Sequence, residues 1–210
     1  MGNTTNKVAW FVFAFLAIGV SLYPLMYIYY AFDDVEVGLR LSKNEELLGS
    51  IVWNTGFYGH VVFGGLALFV GWPQFSKRFR NTNLKRHRLI GKIYVGAVAV
   101  SGLCGFFIAV YATGGPIAQI GFLCLGVVWL YFTMMAYRAV KKGDVDKHQA
   151  YMIYSYAACF AAVTLRLWLP LLTIAFGSFI PAYRLVAWLC WVPNIIFAYF
   201  WVKRKGINLA

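Results

Sequence analysis

Acidic residues are missing from every long apolar run of this chain, and only 12% of its 210 residues are charged. A soluble domain carries about 25% charged residues, so charge is too scarce here to cover a solvated surface. Segments of roughly ten residues with alternating polarity are absent, which excludes a membrane β-barrel. Cysteine is sparse. Cys104, Cys124, Cys159 and Cys190 each lie in an apolar run and none belongs to a CxxC pair. That excludes a disulfide framework or a cysteine zinc site and leaves four small buried hydrophobes. Histidine is scarcer still, with three in all: His60, His87 and His148. No low-complexity linker divides the chain, so residues 1–210 read as a single domain.

What is present is apolar length. The sequence is 61% hydrophobic, and about 20 apolar residues suffice to cross a bilayer. Six runs qualify, at about 8–30, 51–75, 89–113, 117–137, 149–176 and 185–202. The fold class is therefore all-α: a polytopic integral membrane protein, a six-transmembrane-helix bundle. The first run exceeds the roughly 7–15 residues of a signal-peptide core and reads as a retained helix kinked at Pro24.

The net charge of +12 is distributed by loop. Lys77, Arg78, Arg80, Lys85, Arg86, Arg88 and Lys92 lie between the second and third runs. Arg138, Lys141, Lys142 and Lys147 lie between the fourth and fifth, and Lys203, Arg204 and Lys205 follow the sixth. Five of the seven acids (Asp33, Asp34, Glu36, Glu45 and Glu46) share one loop on the other side. This positive-inside pattern places both termini in the cytoplasm. It accounts for the charge without nucleic acid, and anionic lipid headgroups are the partners it implies. Asn44–Leu48 reads as a short surface helix in the acidic loop. Gly114–Gly115–Pro116, Gly143–Asp144 and Gly177 to Tyr183 read as turns, and Pro170 as an interruption of the fifth helix.

Ionisable groups inside a bilayer are costly and mark function. Arg166 lies roughly 26 Å along its helix from the cytoplasmic side, and His60 lies roughly 22 Å from that side on the second helix, by a rise of about 1.5 Å per residue. Both fall in the outer half at similar depth, and no carboxylate shares that level. Arg166 must then bond carbonyls or amides such as Asn194 or Gln119, snorkel outward, reach Glu45 or Glu46 from a folded-in loop, or bind an anion. His60 reads either as an interhelical hydrogen-bonding residue or as part of an outward pocket with Tyr58, Asn54 and Arg166.

His87 and His148 open two outward-running helices at matching height. Bis-histidine haem ligation needs that geometry, with Arg86 and Arg88 placed for propionates. The plainer role is two solvated loop histidines. A metal held by His87 and His148, with Asp144 or Asp146, is the remaining chemistry.

The segments HVVFGGLALFVGWPQF, RHRLIGKIYV, GDVDKHQAYMIYSYA, AVTLRLWLP and WVPN resemble the DUF2306 family of predicted bacterial membrane proteins. The resemblance runs from about Asn54 to Asn194 and implies a multi-pass protein of the bacterial inner membrane with no assigned reaction. It includes His60, His87, His148 and Arg166, while Tyr154 stands where the family pattern has an arginine. The layout is also similar, more loosely, to cytochrome b561, with His87 and His148 in the place of haem ligands. The fourth helix has no histidine, so His60 lacks a mate and at most one haem b is implied.

These observations support a leading expectation of a haem-associated or redox membrane protein. One alternative is a non-enzymatic binding or transport-type protein, with an outward His60/Arg166 pocket for an anionic ligand or lipid. Another is an assembly subunit that joins a membrane-protein partner, or a second copy of itself, through its glycine-rich second helix.

Overall fold

The computed structural model describes residues 2–31 and 36–207, so Asp33 and Asp34 of the acidic loop lie outside the described residues. Among these residues there are helices and turns and no strand. Six helical spans of 24 to 32 residues are long and apolar enough to cross a membrane. The chain is an all-α, multi-pass membrane protein. Apolar side chains such as Phe15, Leu103 and Ile174 are exposed on the outside of the bundle, the inverse of a soluble surface.

The first span is α1 (Gly2–Ser21) followed by α2 (Tyr23–Ala31), broken at Leu22 just before Pro24. The kink bulges into α4 (Ile51–Gly71), where a Cβ on Gly65 would lie 2.8 Å from Pro24 Cγ and 2.9 Å from the Ser21 carbonyl. Only a residue without a side chain fits there. After the acidic loop and the short helix α3 (Glu45–Gly49), α4 forms the second span. The Asn44 side chain caps α3 by accepting from Leu47 N–H at 3.1 Å, as the sequence predicts.

The basic loop folds into the short helix α5 (Lys77–Thr82). The third span, α6 (Leu84–Ala109), starts five residues before its apolar run because Asn83 accepts from Arg86 N–H at 3.0 Å. The fourth is α7 (Pro116–Lys141), entered through Gly115 at φ 70°. The fifth begins as α8 (Val145–Cys159), capped by Asp144 on Lys147 N–H at 2.9 Å. Polar N-caps extend both helices past what hydropathy delimits.

Pro170 does not interrupt the fifth span. The helix runs through it in α9 (Ala161–Phe176), and the break lies at Phe160. Pro170 still removes the N–H that would bond the Arg166 carbonyl four residues back. The turn after α9 is short: Gly177 adopts φ 64°, and α10 (Phe179–Leu189) starts directly, well before Leu185. The sixth span breaks at Cys190–Trp191 before α11 (Val192–Arg204), with Pro193 in its first turn.

The two breaks are stitched together. Asn194 Nδ2 donates to the Cys190 carbonyl at 2.9 Å, to Thr164 Oγ1 at 3.1 Å and to the Ala157 carbonyl at 3.2 Å. Thr164 Oγ1 also donates to the Cys190 carbonyl. A carbonyl released from a helix inside a bilayer needs such partners. The WVPN segment is thus a helix break with its own repair.

α4 packs most closely on α6, α7 on α8, and α10 on α9 and α7, while α1 closes the side against α4. Below the breaks a buried network joins Trp129 Nε1 to Tyr94 Oη at 3.4 Å, Tyr94 Oη to Ser155 Oγ at 2.8 Å and Ser155 Oγ to Thr133 Oγ1 at 2.6 Å. The glycines of α4 are consumed inside the chain: Gly56 faces Phe107, Gly59 faces Cys104 and Gly71 faces Tyr156. Tyr154 stacks on Phe132 at 4.6 Å in the core.

Candidate functional site

A cavity of about 210 Å³ lies among α2, α4, α6, α7, α8, α9 and α10. Its walls include both helix breaks, through Cys159, Ala161 and Ala162 on one side and Cys190 on the other. Phe57, Val61, Ile108, Phe122, Leu125 and Leu165 make most of it apolar. The polar lining is small and cationic, namely Arg166, Lys43, His60, Ser101, Tyr27 and Tyr183, with no carboxylate among the lining residues.

Arg166 lines the cavity. Its Nη1 donates to the Ala162 carbonyl at 2.8 Å, one helical turn back. Its guanidinium carbon stands 4.2 Å from the Tyr23 ring centroid, a favourable cation–π distance. Nε is buried and has no partner among the described residues. The residue as a whole is only half-buried, and its inner end is the covered part. Neither Asn194 nor Gln119 serves it: Gln119 Nε2 donates to the Val110 carbonyl at 2.8 Å. Glu45 and Glu46 are exposed on α3 and no carboxylate of the described residues pairs with it. A half-buried guanidinium with a covered, unpartnered Nε and no carboxylate beside it can still accept an anion.

His60 presents the complementary atom. Its Nδ1 lies 2.9 Å from the Ser101 carbonyl. A carbonyl only accepts, so Nδ1 carries the proton and the Nε2 lone pair stays open in the neutral ring. Ser101 Oγ donates back to the His60 carbonyl at 2.9 Å, which fixes the ring. A Cβ on Gly105 would lie 2.8 Å from His60 Nδ1, so this glycine admits the imidazole between α4 and α6.

The roof comes from the acidic loop, which sequence reasoning left unassigned. A 3-10 turn at Gly38–Ser42 places Leu39 and Lys43 over the cavity. Leu39 N–H donates to Tyr27 Oη at 3.2 Å. Lys43 Nζ donates to the Tyr111 carbonyl at 2.5 Å and to Thr113 Oγ1 at 2.8 Å. Burial pushes the Lys43 ammonium down to about 8.

Asn54 and Tyr58 are not in the pocket. They belong to Arg40, which pairs with Glu36, donates to Asn54 Oδ1 and stands 5.7 Å from the Tyr58 ring centroid. The Glu36 carboxylate, by hydrogen bonding, pushes the Arg40 pKa up and keeps it charged. Asn54 Nδ2 donates to the Leu48 carbonyl at 2.6 Å. This cluster latches the roof to α4. Its signal was legible as Glu36 and Arg40 at i, i+4. Asn194 likewise lies beneath the pocket as the stitch between the breaks.

At the opposite, basic end, His87 lies within electrostatic reach of His148, Arg80 and Arg88. Of the expected set, His148 and Arg88 act electrostatically on His87, together with Arg80. His148 Nδ1 is 2.9 Å from the Ala136 carbonyl, leaving Nε2 open. His87 Nδ1 is buried and unpartnered. Among the described residues no group of three His, Cys, Asp or Glu side chains converges on a metal-sized site. Neither histidine lines the cavity, so the pocket described here does not fit a haem ligated by this pair.

No curated protein and no solved structure matches the chain. The family model described as a predicted membrane protein (DUF2306) matches residues 57–202. That stretch contains His60, Ser101 and Arg166, while the roof and the first span precede it. A multi-pass membrane topology and a match across five of its six spans place this chain in the DUF2306 family of predicted membrane proteins.

Proposed function

We propose that this protein is a non-enzymatic binding or transport-type protein of the bacterial inner membrane that holds a small amphipathic anion. The observation that carries the proposal is Arg166: a half-buried cation with a covered, unpartnered Nε and no carboxylate, lining an apolar cavity together with Lys43 and the open Nε2 of His60. Interrupted helices beside a central cavity are the usual setting of substrate sites in membrane transporters. The positive-inside rule puts the basic loops in the cytoplasm and the roofed end outside.

Size and polarity narrow the ligand. About 210 Å³ equals the liquid volume of roughly seven waters at about 30 Å³ each. That suits a monoanion of about ten non-hydrogen atoms. Its head meets Arg166 and Lys43, and its tail follows α7 from Phe122 to Trp129, roughly 10 Å away from the roof. A donor on the head, such as a protonated acid or hydroxyl, meets His60 Nε2. The haem and redox expectation rests on His87 and His148 alone and gains nothing from the pocket or the family match.

Trp53 and Trp129 line the cavity and report on it. Titration of the purified protein in nanodiscs with octanoate quenches or shifts their fluorescence saturably, and octylamine at equal concentration does not. Equal responses to the anion, the amine and neutral octanol would overturn the proposal.

A further inference from the structure

The cavity is tied shut above and below by hydrogen bonds. Above, Lys43 is bonded to the Tyr111 carbonyl and to Thr113, and Arg40 to Asn54. Below, Trp129 lines the cavity and belongs to a closed ring of bonds. The Thr133 hydroxyl donates to the Trp129 carbonyl at 2.7 Å, which spends its one proton. It therefore accepts from Ser155 at 2.6 Å, and Ser155 accepts from Tyr94 at 2.8 Å. Tyr94 in turn accepts from Trp129 Nε1 at 3.4 Å. Every proton of the ring is used within it, so the floor keeps no donor to lead water through.

The side toward α9 is built differently. α2 packs on α4, and α1 packs on both α4 and α9, but among the described residues α2 and α9 do not pack closely on each other. Side chains span the interval. Arg166 of α9 lines the cavity, and Tyr23 of α2, which does not, covers its guanidinium at 4.2 Å. Tyr23 also meets Tyr27 edge-on at 5.5 Å. Leu25 on α2 and Leu167 and Trp168 on α9 are exposed on the outer surface of the bundle. Arg166 is half-buried, so it stands at the boundary between cavity and surroundings. An aromatic face is a weaker partner for a guanidinium than a carboxylate is, and an arriving anion displaces it. Given the anion-binding reading of the cavity, we infer that its ligand is a membrane-dissolved amphiphilic anion that enters sideways, from the leaflet beside the roof, through a portal between α2 and α9 held shut by the Arg166–Tyr23 pair. The head takes the guanidinium from the Tyr23 ring, and the tail follows into an apolar cavity without crossing water.

The test is the stopped-flow rate at which 2-bromooctanoate, a quencher, dims the cavity tryptophans Trp53 and Trp129 of the full chain in nanodiscs. Tyr23→Ala speeds association about tenfold, the worth of one partly desolvated cation–π contact. Tyr23→Phe keeps the ring and the wild-type rate, and Tyr23→Leu replaces the alanine variant should that one not fold. Arg40→Gln unlatches the roof from Asn54, and Thr113→Val frees Ser42 and Lys43; both leave the rate unchanged. 2-Bromohexadecanoate, which resides in the bilayer, also quenches saturably, with the end of its tail left in the portal. Faster association in the roof variants overturns the inference and puts the entrance at the roof, with the pocket intact. So does an unchanged rate in Tyr23→Ala and Tyr23→Leu, or failure of the long-chain acid where 2-bromooctanoate binds. Absence of saturable quenching by either acid in the wild-type protein is the separate failure of the pocket itself, and the portal falls with it.

Discussion

Replacing Arg166 by methionine separates a ligand-binding arginine from a structural one. The substitution keeps most of the side-chain length and removes the charge. The fold loses one charge-assisted hydrogen bond to the Ala162 carbonyl, worth about 1.5–3 kcal/mol, and one contact with the Tyr23 ring, worth about 1–2 kcal/mol. It also sheds the cost of keeping a half-buried cation without a carboxylate, a fraction of the several kcal/mol that a fully buried ion costs. These terms oppose each other, so the midpoint of unfolding without ligand falls by only a few degrees. Ligand binding has no such compensation. An anionic head that loses its charged partner forfeits about 1.5–3 kcal/mol, or roughly 10- to 100-fold in Kd. Fluorescence titration with octanoate and a thermal scan of the same sample read both quantities. A variant that unfolds many degrees earlier yet binds octanoate with unchanged affinity would refute the reasoning. Arg166 would then be a bolt between helices and not a receptor.

Other consequences follow from the same contacts. Lys43 titrates near 8 in the folded protein and near 10.4 when unfolded; its ammonium is disfavoured by burial, so its contribution to stability is fully present above the unfolded value and is lost as pH falls through about 8. Anion affinity runs the other way, weakening as pH rises from 7 to 9, and Lys43→Met flattens that dependence in a titration series. Gly65→Ala drives a methyl into Pro24 and the Ser21 carbonyl; overpacking of this kind costs about 1–3 kcal/mol, measured as a lower unfolding midpoint in nanodiscs. Asn194→Leu removes two interhelical bonds, to the Ala157 carbonyl and to Thr164 Oγ1, and costs about 1 kcal/mol at roughly 0.6 per interhelical bond, with thermal melting as the measurement.

Hydropathy exposed the six spans because the bilayer demands continuous apolar length and internally bonded backbone. Arg166 and His60 stood out for a related reason. Depth along a straight helix is proportional to residue number, so two polar residues at equal depth are legible without coordinates. Their direction around the helix was not, and the assignments that depended on it fared less well. Asn54 and Tyr58 share the outer half with His60 but turn to Arg40. Asn194 turns to backbone exposed by the breaks. Pro170 was a natural place to expect an interruption, yet the fifth helix tolerates it and breaks at Phe160. The roof was hidden because a 3-10 turn in a polar loop is fixed by tertiary bonds such as Leu39 to Tyr27 and Lys43 to Thr113, which leave no periodic trace.

Crystals or vitrified particles of the protein equilibrated with 2-bromooctanoate locate the anion by its bromine. The account predicts one bromine inside the bundle, in contact with Arg166 beneath Leu39 and Lys43, and none there in Arg166→Met. Bromine found only on the lipid-facing surface, with the cavity unchanged, would contradict it.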